Sequence, residues 1–496
     1  MRMNKLTVVV AFLLAGLSSG VYALNDTSPR AMGLAQSYTA LARGPEAAFW
    51  NPANLALGGG SKFSWDVLNF GFTLIAENNS FSVQTYNDNF TDENHFITEG
   101  DKQGLLSDID KDGLRVNMDV DPYVALLLPL ANSGVTFKMP RDIHSAVAVG
   151  FANGFEGAVP KDLFDLMLFG NQFNRPYDIA EWDGSGWSVG SLNWSGAKAW
   201  MPFQLKPYLN EFTVGATLKL MGGVYGEARR SSGTFASYFQ DPNEDVGTDL
   251  NAYVITRSAG VDDINAIRKD PKIGTIIDNL SIGGVGFGLD LGVAGVTKDR
   301  KTTFSVGLLN LLDTMSWGTL SRQDSVFATA DNLLVTRLVD VKKIEEVLDN
   351  DKECIGAEQP PDCTGDVVFH EKQNEDSFSR SLPAMLRVGA AYQVMPKLTV
   401  VGNWDQAFSE GFGIRTTPRV SAGAEYHLVP WFPTRFGLSV GGRGPSSSIG
   451  FGFGPFEFPH VQLKFMDVGL VTRGGFFPGV SKGMSLSLMF FKVKIT

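Results

Sequence analysis

The sequence predicts an all-β protein, a transmembrane antiparallel barrel of about fourteen strands. Three observations carry that expectation: period-two alternation in segment after segment, connections that are long and short by turns, and no apolar run that could make a membrane helix beyond the first residues. Composition agrees. The 496 residues include 55 Gly and 36 Phe but are only 19% charged, too much glycine and aromatic for a helical bundle and too few charges for a disordered chain. The net charge of -11 excludes nucleic acid as a partner, because phosphate neutralisation needs a basic surface. Two cysteines, Cys354 and Cys363, exclude a disulfide scaffold.

Taken in order, Arg2 and Lys5 precede an apolar run from Leu6 to Leu17, and Val21 and Ala23 place small residues before a cleavage point. Residues 1–23 therefore read as a cleaved signal peptide, with an exported chain starting at Leu24. Strands are expected near 61–75, 117–130, 143–153, 187–203, 211–227, 279–297, 302–312, 382–394, 397–408, 419–428, 435–442, 448–456, 460–472 and 482–495. In the sixth, Val285, Phe287, Leu289, Leu291 and Val293 are apolar, and Gly284, Gly286, Gly288, Asp290 and Gly292 lie between them. Phe212 to Leu220, Leu386 to Val394 and Val420 to Leu428 repeat the pattern. The last strand changes phase between Met484–Phe490 and Phe491–Ile495, which calls for a bulge near Phe490.

Connections after odd strands are long (76–116, 154–186, 228–278, 313–381), and those after even strands are tight, such as Lys298 to Lys301. A soluble sandwich has no reason to segregate its loops this way; a membrane barrel has, with both termini on the short-turn side. The physical cause is backbone accounting. In hydrocarbon every N–H and C=O must be paired within the protein, so a sheet can cross only by closing on itself. Fourteen strands enclose more space than side chains alone fill, leaving room for a plug or a conduit. Trp194, Trp200, Trp404, Trp431 and Phe432 near strand ends suit the membrane interface or ordinary packing.

Ahead of the first strand stand Ser28-Pro29-Arg30-Ala31-Met32-Gly33 and then Phe49-Trp50-Asn51-Pro52-Ala53. In these segments the chain resembles the FadL-type outer-membrane barrels, including the PorV and PorQ group. The resemblance implies that residues 24–60 form an N-terminal hatch, with Asn51, Pro52 and Ala53 as its motif. It implies that residues 61–496 form the barrel, with long extracellular loops and a few short loop helices. It also implies an outer-membrane location in a Gram-negative envelope, with lipid as one partner. The other partner would be hydrophobic small molecules, bound and passed passively, or secreted proteins held on a PorV-like scaffold. Two features depart from the family pattern: Ala35 and Gln36 stand where relatives often have Gly-Gly, and the chain ends on Thr496 rather than an aromatic residue.

Other chemistry is sparse. Asp108, Asp110, Asp112, Gly113 and Asp119 match positions 1, 3, 5, 6 and 12 of a calcium loop, and Thr98 to Asp101 is a capping box for an entering helix. The alternative is a solvated acidic turn, since position 12 is the shorter Asp and a strand should follow. No cofactor beyond calcium is suggested. Gly186-Trp187-Ser188-Val189-Gly190 has the hydrolase nucleophile spacing but starts a strand instead of a strand-to-helix turn. His95, His144, His370, His427 and His460 show no zinc spacing, and no positive argument for an enzyme emerges. Cys354 and Cys363 share the longest loop, where a local disulfide is expected. Leu163, Phe164, Met167 and Leu168 suggest a loop helix, either buried or a lid.

Overall fold

The computed structural model describes residues 28–60, 62–91, 97–180, 183–239, 246–262, 279–334, 366–374 and 377–496. The signal segment 1–23 and the Cys354–Cys363 pair lie outside the described residues.

Fourteen antiparallel barrel strands are present among the described residues. They are β1 Phe63–Asn78, β2 Leu114–Leu126 resuming as Ser133–Met139, β3 Ile143–Val159, β4 Asp183–Ala199 and β5 Leu209–Phe239. Then follow β6 Gly284–Thr297, β7 Thr302–Leu309, β8 Met385–Met395, β9 Leu398–Ala407 and β10 Arg419–Val429. The last four are β11 Phe432–Gly441, β12 Ser446–Phe453, β13 Met466–Arg473 and β14 Gly483–Ile495. Each strand pairs with its neighbour in sequence, and β1 closes on β14 from Trp65↔Ile495 to Glu77↔Gly483. Opposite Phe70 and Gly71 the ladder skips Phe490, the bulge that the phase change requires.

Alternation has its physical outcome in the two faces. Leu192 and Trp194 on β4, Leu218 and Leu220 on β5, Val285 and Phe287 on β6, and Phe436, Leu438 and Val440 on β11 all point outward, Phe287 being 67% exposed. So continuous an apolar belt is tolerable only where the solvent is lipid. The inward positions are small or polar, among them Thr217, Lys219, Asp290, Ser421, Glu425, Ser485 and Ser487, all buried.

Two regions differ from the sequence reading. The stretches expected as the long connections 228–278 and 313–381 contain further strands. β5 runs on to Phe239 and pairs with Val246–Ala259, which pairs with Arg322–Leu334, which pairs with Asp366–Asn374. This four-stranded extension rises beyond the barrel. In water neither of its faces has to be apolar, so a segment such as Arg229-Arg230-Ser231-Ser232-Gly233-Thr234 carries no alternation to read. The second difference is in β2. Between Asp119 and Ser133 it leaves the ladder to β3 and folds out as a hairpin, Val124–Leu126 pairing with Leu128–Ala131. The hairpin tip, Leu126, Leu127, Leu128 and Leu130, is exposed, as suits a lipid-facing feature.

Candidate functional site

Residues 28–60 fill the lumen. Ser28 caps the short helix Pro29–Gly33, and Ala31, Met32, Leu34, Tyr38, Phe49 and Trp50 are buried. The barrel makes room for this segment by placing glycines where the hatch backbone touches the wall. A Cβ on Gly215 would lie 2.6 Å from the Ala53 nitrogen, one on Gly389 2.8 Å from Thr39 Cβ, and one on Gly437 2.5 Å from the Leu34 carbonyl carbon. One on Gly292 would overlap the Asn51 amide. The glycines of the alternating pattern are thus a mould for the plug.

Asn51 is the anchor. Its Nδ2 donates to Val293 O (3.0 Å), Ser305 Oγ (2.6 Å) and Val306 O (3.0 Å), while its Oδ1 accepts from Ala53 N (2.9 Å). Pro52 needs no donor, and Thr213 Oγ1 donates to Ala53 O at 2.9 Å. Trp50 packs edge-on against Tyr38 at 5.4 Å, with the Arg387 guanidinium 4.5 Å from its ring centre.

Ala35 and Gln36 adopt left-handed φ of 48° and 59°, the conformation glycine takes most readily. The wall holds them there: Ala35 N donates to Ser448 Oγ (2.8 Å), and Arg419 Nη2 donates to Ala35 O (2.6 Å). Ala35→Gly is expected to relieve the strain and raise stability by about 0.5–1 kcal/mol, checked by the midpoint of urea unfolding in detergent.

A chain of alternating charge ties the hatch to the wall. Arg30 forks onto Glu425 (2.9 and 2.7 Å), Glu425 accepts from Arg435 Nε (2.8 Å), Arg435 reaches Asp467 (2.5 Å), and Lys464 closes on Asp467. Nearer the mouth lies a belt of further pairs, Lys219–Asp290 at 2.8 Å and Arg387–Asp405–Arg419 at 3.4 and 3.6 Å.

Above that belt the lumen turns apolar. Trp187, Tyr225, Trp317, Phe378 and Phe412 form one buried cluster with Ala152, Met315, Met385 and Ile414. Tyr225 stands 5.3 Å from Trp317 and 5.4 Å from Phe412, and Trp187 packs edge-on to Phe412 at 5.4 Å. Phe412 is delivered by the 408–418 connection and held at φ 50°, a strained value for a bulky residue that packing offsets. Beside the cluster Asp313 accepts from the amides of Met315 (3.1 Å) and Leu382 (3.0 Å), and burial lifts its carboxyl to about 6. Along β8 the inward residues record the same order: Met385 at the mouth, Arg387 in the belt, Gly389 at the hatch.

The wall interruption adjoins this cluster. Where β2 leaves β3, side chains replace the ladder. Asn132 donates to Pro122 O (2.9 Å) and Phe151 O (3.1 Å) and accepts from Phe151 N (3.1 Å), and Asn153 Nδ2 donates to Val120 O (3.0 Å). Ala152, between those two β3 residues, belongs to the mouth cluster.

The acidic motif is dispersed. Helix Glu99–Asp108 has its Thr98–Asp101 capping box, Asp108 ends it, and Asp110 and Asp112 sit in the following turn. Asp119 lies in β2 and is buried in the lumen, five strand residues beyond Leu114, roughly 16 Å at 3.3 Å each. The extended backbone after Gly113 carries it away from the other three, and among the described residues no three His, Cys, Asp or Glu form a metal set. Ser188 stands within β4 and donates to Asn153 Oδ1 at 2.7 Å, with no strand-to-helix turn around it. Helix Lys161–Phe169 sets Phe164 against Phe81 and leaves Met167 exposed.

Fold and lumen together define an outer-membrane-type β-barrel with residues 28–60 packed against its inner wall. The chain belongs to the family described as "Family of unknown function (DUF5723)", whose model matches residues 52–463. Among solved structures it is similar to the Ralstonia pickettii toluene transporter TbuX, at 12% identity and TM-score 0.46, covering 96% of this chain and 99% of that one. It is also similar to a Pseudomonas aeruginosa FadL homologue, at 11% identity and TM-score 0.42, with 96% and 98% covered. For the P. putida toluene transporter TodX the values are 9%, 0.42, 97% and 98%. Comparison with curated proteins gives no match.

Proposed function

We propose that this barrel is a passive outer-membrane conduit for hydrophobic small molecules and that it catalyses no reaction. The observation that carries the reading is the continuity between the buried aromatic cluster at the long-loop end and the break in the wall at Phe151–Asn153. An apolar molecule gains free energy by leaving water for the aromatic surface of Trp187, Tyr225, Trp317 and Phe412. Below them the charged belt and the hatch oppose its passage, since crossing would separate the buried pairs Lys219–Asp290 and Arg387–Asp405. The low-cost exit is sideways, where side-chain bonds stand in for the ladder. Transfer along the lumen itself would need the hatch to shift.

Binding of the uncharged fluorophore N-phenyl-1-naphthylamine to detergent-solubilised protein should quench tryptophan fluorescence, and Phe412→Ala should weaken it several-fold. Asn132→Ala removes the side chain that bonds both N–H and C=O of Phe151, so it should loosen the wall by about 1–3 kcal/mol. Dye release into proteoliposome lipid should then accelerate. Absence of quenching, with release unchanged in Asn132→Ala, would sink the reading. A scaffold for secreted protein is the second reading, favoured by the four-stranded extension above the barrel. Its signature would be polypeptides copurifying with the full-length chain and no bound hydrophobic molecule.

A further inference from the structure

At the short-turn end, below the hatch, lies a cavity of about 150 Å³ whose lining includes Arg43 and Asn54 of the hatch, Thr136 of β2, His144 and Ser145 of β3, and Lys494 of β14. Its polar groups are unusual in what they lack. Arg43 spends Nη1 on the carbonyls of Ala40 (2.9 Å) and Ala42 (2.8 Å), and neither it nor Lys494 has a carboxylate within ion-pair distance among the described residues. Lys494 reaches the hatch next to Arg43 in sequence: its Nζ is 3.1 Å from the point where a Cβ on Gly44 would stand. On the wall side, Thr136 and His144 are 4% and 6% exposed, and neither Thr136 Oγ1 nor His144 Nδ1 has a hydrogen-bond partner. Asp66 and Glu46 act on Lys494, and Glu211 on Arg43, only from beyond ion-pair distance. Buried polar atoms in native proteins are nearly always bonded, so two orphans beside two cations without a direct ion pair mark a place built for a ligand.

The charge selects an anion and the geometry selects its shape. Polar groups stand on four separate elements, the hatch, β14, β2 and β3, an arrangement that the oxygens of a tetrahedral anion can meet one each. The volume holds the equivalent of roughly five waters at about 30 Å³ each, enough for one tetrahedral group. We infer that this cavity binds a phosphate-type oxyanion, free or as the head of a phosphorylated amphiphile, and that the bound anion clamps the hatch to the barrel wall. Arg43 and Lys494 also line the neighbouring cavity of about 310 Å³, which runs past Glu46, Lys492 and Lys464. A headgroup ligand has its remainder accommodated there. The inference is independent of what the mouth binds.

Isothermal titration of the full-length protein in detergent tests it, with inorganic phosphate, dihexanoyl phosphatidic acid below its micelle concentration, acetate and chloride at equal ionic strength. Phosphate or the phosphatidic acid is expected to bind at least tenfold more tightly than acetate or chloride, and whichever of the two binds tighter identifies the source. Lys494→Met should weaken that binding at least tenfold, and the smaller wall change Thr136→Val should weaken it several-fold without touching a cation. Bound phosphate should also slow proteolysis of residues 41–60. Equal binding of acetate and phosphate, or full affinity retained in both Lys494→Met and Thr136→Val, overturns the assignment.

Discussion

Gly292→Val is expected to expel the hatch and open the lumen. Position 292 faces inward on β6 against the Asn51 amide, so a branched side chain there takes the space in which Asn51 reaches Val293 O, Ser305 Oγ and Val306 O. Valine suits the strand backbone, which leaves the barrel intact and directs the whole conflict at the plug. Overpacking of about 1–3 kcal/mol adds to the loss of the bonds made by the two N–H hydrogens of a fully buried amide, each worth roughly 1 kcal/mol. The sum exceeds what one short segment can absorb in place. Planar-bilayer recordings should show steps of conductance in Gly292→Val that the parent chain lacks. Gly402→Val is the control, because a Cβ there meets only Ser421 O, at 3.8 Å. Silent Gly292→Val channels, or equal conductance in the control, would mean that the plug is not held at Asn51.

Glu425→Gln should be the most destabilising single change within the ion chain. The carboxylate sits between Arg30 and Arg435, both within 3 Å. Neutralising it leaves two guanidiniums facing each other, one on the hatch and one on the wall. Removing one partner of a buried pair costs about 3–5 kcal/mol. The lower end is expected here, because Arg30 is 34% exposed and Arg435 keeps Asp467, while the two guanidiniums repel. The expected result is a lower temperature for loss of the folded band in unboiled electrophoresis and faster proteolysis near Arg30. Arg435→Met together with Glu425→Gln should recover part of the loss, since Arg30 then faces no second cation. A double variant no more stable than Glu425→Gln would show that repulsion is not the cause.

Much of this architecture was legible in the amino-acid pattern. Every barrel strand lies where period-two alternation placed one, and the Phe490 bulge follows from a change of phase within β14. Lipid outside and a polar lumen inside impose opposite demands on neighbouring residues, so the signal recurs wherever the chain crosses. The aromatic mouth was less legible. Trp187 reads as a strand residue, Trp317 and Phe378 fall in a stretch taken as a long connection, and Phe412 belongs to a short one. The signal that flags them is bulk at inward positions, where Gly and Ser prevail. The acidic residues misled in the opposite sense: Asp108 to Asp119 keep loop spacing, but the strand beginning at Leu114 separates Asp119 from the rest.

Number, order and facing of the strands thus follow from local pattern, because each residue's environment alternates with its own neighbours along the chain. Packing in three dimensions settled the partners. Arg30 finds Glu425 across 395 positions of sequence and Ser305 finds Asn54 across 251, and β2 breaks its ladder beside Ala152. No spacing rule encodes those meetings. They arise when the cylinder closes and its glycine-lined interior must be filled, so that residues distant along the chain compete for one shared volume.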